Sequence, residues 1–441
     1  MAKVGLVAVL VLLSSCSTAL PESETDVVVT VQERIGKEVV WGESCEPLIQ
    51  RLLSEPLRVE SAIQIALLNN PEIQALFEEI GMAEADLIEA GLFSNPVFEL
   101  DVRYPHNRSL RTNIEYLVTA AFLDVFLIPL RKKLAEAELE QAKLRVTEGV
   151  LNLAFDVRQA YYEWIAASGK QVLAREVADL VDLQREIVLR QKSAGNIYDL
   201  DEAERKLRGL KIALEVEKSY RETILLSEKL HRLLGLEEEV CLQVPEDEGD
   251  VGPEMSFDVA CLEERALQDR VEVQLAQFEL IRIGRLLGLK EGWTYTDLQV
   301  GVAGERETDG DNIVGFGIRG KVPLFNSGQA ARAHLWAELR QAQGRLAALK
   351  IKVVSEVREA YKILIKEQIL AHTYRETILP TEKRVLSVSE NLYHVMGLGI
   401  DTLLMRKEQE MQTRRDYMDS LKNYRVAFVR LERALGGYLC R

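Results

Sequence analysis

Cysteine and histidine are the residue types best suited to chemistry in this chain, and their spacing offers little support for it. The five histidines are scattered, and no two cysteines form a C-x-x-C pair, so a metal site is not expected. No P-loop and no nucleophile elbow is present. Four cysteines follow the first one and could be free or form two disulfides in three connectivities: Cys45, Cys241, Cys261 and Cys440. We therefore expect no catalytic residue, no cofactor and no enzyme.

The remaining cysteine, Cys16, lies in a context that suggests a defined modification. Lys3 precedes an apolar stretch too short to span a bilayer, which is typical of a signal peptide. The sequence Leu-Ser-Ser-Cys at 13–16 resembles the bacterial lipobox, in which the cysteine is lipidated and becomes the new N-terminus. We expect a signal peptide at 1–15 and a lipid anchor such as palmitate at Cys16. Ser17, rather than Asp, indicates sorting to the outer membrane; the alternative is an ordinary signal peptide with an incidental cysteine.

Composition limits the remaining function classes. The chain has 441 residues and 47% hydrophobic content, enough to bury a large core. Its net charge of −15 and pI near 5.1 argue against a nucleic-acid partner, which requires a basic surface. No later stretch reaches the length of apolar sequence that a transmembrane helix requires.

Long helices dominate the predicted secondary structure. The stretch 130–192 is free of proline, and its apolar residues recur with a 3.5-residue period, which predicts a buried seam. The seam residues are Val146, Val150, Leu153, Val157, Ala160, Trp164 and Ala167. A second helix at 199–234 follows, with a predicted seam of Leu200, Ala203, Leu207, Leu210 and Leu214.

Strands are predicted where apolar and charged residues alternate with a period of two. They form two pairs, at about 96–104 with 112–122 and at about 295–303 with 312–322. A half-buried hairpin of a soluble protein would show the same local pattern. A valine-rich run at 27–31 could form one further strand.

The chain repeats itself at an offset of about 200 residues. Val-Arg-Gln-Ala-Tyr at 157–161 corresponds to Val-Arg-Glu-Ala-Tyr at 357–361, and Leu-Gly at 234–235 corresponds to Leu-Gly at 435–436. The predicted organisation is a lipidated N-terminal segment 16–56, repeat 1 at 57–235, a linker 236–256, repeat 2 at 257–437 and a tail 438–441. Each repeat reads helix, two strands, long helix, helix, and in repeat 2 the last two are predicted at 328–396 and 401–435. A kink or short break is expected at Pro380 in the long helix of repeat 2.

This repeated order resembles the TolC family of outer-membrane efflux proteins, and its lipid-anchored branch in particular. The resemblance rests on Ala-Leu-x-x-Asn-Pro-Glu at 66–72, Pro-Leu-Phe at 323–325, glycine-containing tips near 195 and 397, and the Leu-Gly endings. It implies a mainly α-helical fold with a β-barrel part and a homotrimer. Each chain would supply four transmembrane strands to a shared barrel and long helical hairpins to an α-barrel in the periplasm.

The resemblance also implies a function and its partners. The protein would be the passive outer-membrane duct of a tripartite efflux system, exporting small molecules or metal ions with a periplasmic adaptor and an inner-membrane transporter. The implied adaptor contacts are Gly195, Asn196, Gly397 and Gly399, and the implied acidic residues of a closed aperture are Asp199, Asp201 and Asp401. The family often has an Asp six residues after the tip glycine; Asp201 fits, whereas repeat 2 has Leu403 there and Asp401 instead.

Three alternatives remain open at this point. Asp199 and Asp401 each precede a helix and could simply cap it. The duct could serve type I protein secretion rather than efflux. A protein of another class, a lipid-anchored periplasmic coiled-coil scaffold without a pore, would share the helices but would have no use for strands that alternate in polarity.

Overall fold

The computed structural model of the chain describes residues 24–36, 46–107, 109–195, 198–237, 240–245, 257–291, 298–321 and 324–439. The expected signal peptide, Cys16, Cys45, Asn196, Cys440 and most of the predicted linker lie outside these ranges. None of the helices in the described ranges is long and apolar enough to cross a membrane.

The elements follow the same order in both halves of the chain. Two helices come first: α1 (Glu24–Ile35) and α2 (Glu46–Leu53). The first repeat then contains α3 (Val59–Asn69), α4 (Pro71–Gly91), β1 (Val97–Arg103), β2 (Asn113–Ala121), α5 (Asp124–Ser193) and α6 (Asp199–Leu234). The second contains α7 (Val259–Asp269), α8 (Val271–Glu291), β3 (Gln299–Arg306), β4 (Asn312–Arg319), α9 (Gln329–Thr373), a π-helix (Tyr374–Ile378), α10 (Leu379–His394) and α11 (Ile400–Leu435).

The described residues form two compact units. The first comprises those within Met1–Val27, Glu78–Lys143 and Arg282–Leu335, and it holds the four strands. They form one antiparallel sheet in the order β1-β2-β3-β4. The register fixes which residues share a face, because directly paired residues point to the same side.

The second unit comprises the described residues within Val28–Phe77, Leu144–Ile281 and Trp336–Arg441. All seven residues of the predicted seam in α5 are at most 8% exposed. A separate core joins α7, α8, α9 and α11 through buried residues such as Val273, Val357, Leu364 and Leu431. Burial of continuous apolar stripes of this kind supplies most of the stability of long helices.

Several elements differ from the sequence-based expectation. The valine-rich run forms helix α1 instead of a strand, and its Val27, Val31 and Ile35, spaced four apart, are buried on one face. The long helix of repeat 1 begins at Asp124 rather than at 130. Pro129 therefore lies inside it, in the second turn, where the carbonyl of Val125 loses its usual i+4 backbone donor. Strand β3 extends to Arg306, into residues expected to form the turn.

The long helix of repeat 2 is interrupted next to Pro380, where the sequence predicts a kink or short break. It passes through a π-helix at Tyr374–Ile378, where Leu379 donates its N–H to the carbonyl of Tyr374, five residues back. Pro380 follows directly, and a proline ring would clash with the carbonyl four residues earlier in a regular α-helix. The wider π turn removes that clash.

The predicted seam of α6 is wrong as a core for the single chain. Leu200, Leu207, Leu210 and Leu214 are all more than half exposed. The 3.5-residue pattern therefore marks an apolar helix face that other parts of the described chain do not cover.

Candidate functional site

The four-stranded sheet has one apolar face. By register, Phe98 pairs with Val118, which pairs with Val302, which pairs with Phe316. The residues on this face are Phe98, Leu100, Val102, Ile114, Tyr116, Val118, Ala120, Val300, Val302, Gly304, Arg306, Asn312, Val314, Phe316 and Ile318, with the two polar ones at one end. Its large side chains are exposed in the single chain, up to 92% for Phe316. Contiguous exposed apolar surfaces of this kind mark sites that contact a membrane or another protein.

The opposite face of the sheet is mostly polar or small, with three larger apolar residues. It carries Val97, Glu99, Asp101, Arg103, Asn113, Glu115, Leu117, Thr119, Ala121, Gln299, Gly301, Ala303, Glu305, Ile313, Gly315, Gly317 and Arg319. Arg103 pairs with Glu115 across the strands at 3.2 Å, and Asn113 donates to Glu305 at 2.6 Å. The sheet thus separates an apolar side from a hydrophilic side.

Both edges of this sheet are unpaired within the described residues. β1 has a neighbour only in β2, and β4 only in β3. Exposed edge groups on a sheet with an apolar face favour pairing with further strands.

A tyrosine ring lies directly over one glycine of the apolar face. A Cβ atom at Gly304 would lie 2.2 Å from Cζ of Tyr116, so the tyrosine ring covers the glycine backbone of the neighbouring strand. An aromatic ring over a strand glycine stabilises the register of the pair.

The first helix-to-helix turn of the second unit joins α5 to α6. Gly195 takes a positive φ of 73°, which glycine adopts without strain. Lys192, near the end of α5, contacts Asp199 at 3.3 Å and also hydrogen-bonds Glu202 in the first turn of α6. These partners raise the pKa of Lys192.

The second turn precedes α11, and its acidic residue faces the first turn's helix. Arg205 of α6 donates to Oδ1 of Asp401 at 2.7 Å, and Arg208 hydrogen-bonds Glu408 one step further along. The hydrogen bond to Asp401 raises the pKa of Arg205. Two ion pairs therefore join α6 to α11 near the turns.

The predicted tip residues occupy distinct environments. Asp401 and Asp199 each pair with a cation, whereas Asp201 accepts a hydrogen bond from the N–H of Tyr198 at 3.4 Å. Gly397 donates its N–H to the carbonyl of Leu392 at 2.8 Å.

The capping interpretation of Asp199 and Asp401 is wrong. The N-cap positions are Tyr198 and Gly399, so both aspartates lie inside the first turn of their helices. There, their negative charges interact favourably with the helix dipole, but they do not cap the helices.

The end of α6 is held by two asparagines. Nδ2 of Asn69 donates to the carbonyls of Leu234 and Gly235, at 3.1 and 2.7 Å, and Nδ2 of Asn70 donates to that of Leu233 at 3.0 Å. Oδ1 of Asn70 also accepts from the N–H of Glu72, at the start of α4. The Asn-Pro-Glu sequence thus satisfies backbone groups at two helix ends.

The corresponding end of α11 is held differently. Asp269 and Arg270 replace the two asparagines, and Arg34 of α1 donates to the carbonyls of Asp269 and Gly436, at 2.5 and 3.3 Å. Arg270 instead pairs with Glu272 at 2.5 Å and with Glu356.

A cleft of about 480 Å³ adjoins the end of α11, and charged residues line it, among them Arg270, Glu272 and Glu356. Burial and the carboxylate of Glu272 raise the pKa of Glu148 at its wall. Elsewhere in the unit, Cys241 and Cys261 carry free, exposed thiols. In the described part of the chain, no three His, Cys, Asp or Glu side chains come together as a metal site.

Several known proteins resemble this chain over most of its length. No protein-family model matches the chain. CzcC, a cobalt-zinc-cadmium resistance protein of Cupriavidus metallidurans, is 22% identical over 399 residues, which are 90% of this chain and 94% of CzcC. The crystal structure of CusC superposes with a TM-score of 0.70 at 17% identity, covering 86% of this chain and 92% of CusC. The CmeC outer membrane channel of Campylobacter jejuni gives 0.71 at 12% identity, covering 91% and 89%.

Together these relatives point to the TolC-like family of outer-membrane factors. The family resemblance read from the repeats and motifs is confirmed, as is the mainly helical fold with few strands.

Sequence reasoning about the TolC-like pattern missed several residues that organise these sites. Arg205, Arg208 and Glu408 form the links between α6 and α11, yet they belong to no motif, and the two pairs join residues 196 and 200 positions apart in the sequence. Arg34 follows the valine-rich run 27–31, which could have formed a strand, and nothing in the sequence marks it as part of a helix. One signal was available: the asparagines at 69 and 70 have no amide counterpart at 269 and 270.

Proposed function

We propose that this chain is the outer-membrane channel component of a tripartite efflux system. It would act as a passive duct that carries small molecules or metal ions from an inner-membrane pump to the exterior. The observation that carries the proposal is the sheet with one apolar and one hydrophilic face, since alternation of this kind suits a strand between lipid and a water-filled lumen. The resistance function in the name of CzcC supports export of metal ions.

The proposed active form is a homotrimer, in which twelve strands close one barrel. The unpaired edges of β1 and β4 support this assembly, because open strand edges are not tolerated in lipid. The exposed leucines of α6 support it as well, since neighbouring copies around a ring would cover them. The lipobox cysteine, Cys16, would anchor the N-terminus in the same membrane.

We further propose that the turns near Gly195 and Gly397 form the periplasmic end of the duct and contact an adaptor protein. Gly399 and Asn196 belong to the same turns in the sequence. The Arg205–Asp401 and Arg208–Glu408 pairs would hold α6 against α11 in the closed duct, and Asp199 and Asp201 would add negative charge at the aperture. Charged pairs that are partly exposed break at modest cost, which suits a gate.

An exit duct for type I secretion would use the same architecture with a different pump. A scaffold without a pore is disfavoured, because it gives no role to the apolar sheet face. No catalytic step belongs to the proposal.

The test uses two adjacent residues of β4 that point to opposite faces. Val314 lies on the apolar face opposite Gly304, and Ile313 lies on the hydrophilic face opposite Glu305. A lysine on a lipid-facing strand costs about 2–4 kcal/mol near the bilayer midplane. We expect Val314→Lys to abolish membrane-inserted trimer and conductance in planar bilayers, and the matched Ile313→Lys to retain both.

A third variant, Arg205→Ala, addresses the gate in the same recordings. It should insert normally and raise the open probability, because Asp401 loses its partner. Equal behaviour of the two lysine variants would refute the channel, whereas an inserted but unaltered Arg205→Ala would refute only the gate.

A further inference from the structure

The four junctions between helices and strands lie at one end of the sheet. The register pairs Val97 with Thr119, and Gln299 with both Ala121 and Arg319. The start of β1, the end of β2, the start of β3 and the end of β4 are therefore neighbours. We call this end of the sheet the junction end.

Apolar side chains are exposed around the junction end. They are Leu92, Phe93, Phe122, Val125, Phe126, Leu130, Leu324 and Phe325. The rings of Phe122 and Phe126 contact each other edge to face, with centroids 6.2 Å apart. Aromatic residues beside an apolar strand face are typical of the boundary between hydrocarbon and headgroups.

Cations occupy the next residues along the chain, without acids. The stretches 125–135, 281–290 and 319–335 contain no Asp or Glu. Their basic residues are Arg131, Lys132, Lys133, Arg282, Arg285, Lys290, Arg319, Lys321 and Arg332. In a chain with a net charge of −15, three basic stretches at one place are a distinct surface.

The centre of this surface is not neutralised within the described residues. Arg131 pairs with the buried Asp124 at 2.6 Å, but Lys132 and Lys133 are exposed and have no carboxylate partner there. Arg285 of α8 donates to the backbone carbonyl of Lys133, so it adds a third positive charge beside the two lysines.

We propose that the surface formed by Lys132, Lys133 and Arg285 binds the headgroups of anionic phospholipids in the leaflet that faces the periplasm. Phe126, Leu130 and Lys133 follow each other at i, i+4 and i+7, on one face of α5. Seven residues of helix place Lys133 roughly 10 Å beyond Phe126. A lysine side chain can reach back over part of that distance toward the headgroup layer.

The order of the residues identifies lipid as the occupant. Apolar strand face, exposed aromatic residues and cations follow one another away from the sheet, as hydrocarbon, interface and phosphate do in a bilayer. The inference rests on the proposed function, because it requires the apolar face to lie in a membrane.

The experiment compares the full-length lipidated protein with Lys132→Gln/Lys133→Gln. Flotation with vesicles of phosphatidylcholine, alone or with phosphatidylglycerol, measures lipid preference. We expect the wild type to favour the anionic vesicles by about tenfold at low salt and to lose that preference as salt rises. The double glutamine variant should show little preference, and Lys132→Arg/Lys133→Arg should retain it.

A matched control changes the same charge elsewhere: Lys362→Gln/Lys366→Gln, on exposed positions of α9, should keep the preference. Equal preference in the wild type and the Lys132/Lys133 glutamine variant would overturn the inference. A glutamine variant that no longer forms the trimer but still prefers anionic vesicles would also overturn it. That result would mean that another copy of the chain, and not lipid, contacts this surface. Absence of conductance from every variant, with the preference intact, would contradict the channel and leave the lipid surface standing.

Discussion

In the first repeat, uncharged amides of Asn69 and Asn70 hold the end of α6, whereas in the second an arginine from α1 holds the end of α11. The backbone is the same at both joints. Gly235 and Gly436 each take a positive φ, and each packs on the residue pair that ends the repeat's first helix. One duplicated joint is therefore closed by two kinds of chemistry.

This difference determines what each joint responds to. Amide-to-carbonyl hydrogen bonds depend little on salt or pH, and both partners come from within the repeat. The second joint depends on Arg34, Arg270 and the carboxylates around them, and it requires a helix from outside the repeat. Ionic links are weakened by screening, so the second joint should be the one that varies with conditions.

The largest expected effect tests whether the two joints are equally tight. A Cβ at Gly235 would lie 2.5 Å from the carbonyl oxygen of Asn69, whereas one at Gly436 would lie 3.1 Å from that of Asp269. Gly235→Ala should lower the free energy of unfolding by about 3 kcal/mol and Gly436→Ala by about 1–2 kcal/mol. Alanine is strained at the positive φ of both positions, but only at Gly235 does its Cβ also clash with the backbone. Thermal unfolding of the purified protein, or local opening by hydrogen exchange, measures both. Equal losses would mean that the joints are equivalent.

A smaller effect tests the arginine itself. Arg34→Ala should destabilise the end of α11 by about 1–2 kcal/mol, because the carbonyl of Gly436 loses its donor. In this variant, faster hydrogen exchange is expected at the amides of Gly437 and Tyr438. The exchange rate at the amide of Leu236 in the first repeat should not change. Adding Asp269→Asn restores the amide found at Asn69 and should recover the protection. Failure of this rescue would show that the joints differ in more than their donors.

The smallest effect concerns pH. The raised pKa of Glu148 means that the folded protein holds this proton more tightly than the unfolded chain, so stability falls as pH rises through that range. Glu148→Gln removes the penalty and should stabilise the folded protein at neutral pH by less than about 0.5 kcal/mol, given the partial exposure of this side chain. The gain should vanish below about pH 4, where the carboxyl is neutral in both states. Melting temperatures across this pH range test it, and a gain that persists in acid would contradict it.

Sequence periodicity predicts those features of the fold that depend on spacing within one segment, such as the apolar face of a helix. The seam from Val146 to Ala167 is buried as predicted, because a 3.5-residue pattern directly specifies a helix face. The same reasoning failed for Leu200 and Leu214, since a pattern shows that a face is apolar but not which chain covers it. It failed for α1 because three valines in a row favour a strand locally, and tertiary burial of Val31 decided for a helix.

The contacts of the candidate site were beyond prediction for a different reason. Asp199, Asp201 and Asp401 were found as residue types, but their partners Lys192 and Arg205 depend on how helices align. Long-range pairs of this kind leave no spacing signal in one sequence. The break in symmetry at Asp269 and Arg270 was visible, yet its meaning required the position of Arg34.

The π-helix at Tyr374–Ile378 lies where the two repeats differ in length. Corresponding residues are 200 apart at Tyr161 and Tyr361 but 202 apart at Gly195 and Gly397, so repeat 2 has two more residues than repeat 1 over this interval. A residue inserted into an α-helix would turn everything after it by about 100° and move the wrong side chains to the interface. A π turn takes up one extra residue locally and leaves the following faces in phase. The π-helix therefore accounts for one of the two additional residues of repeat 2.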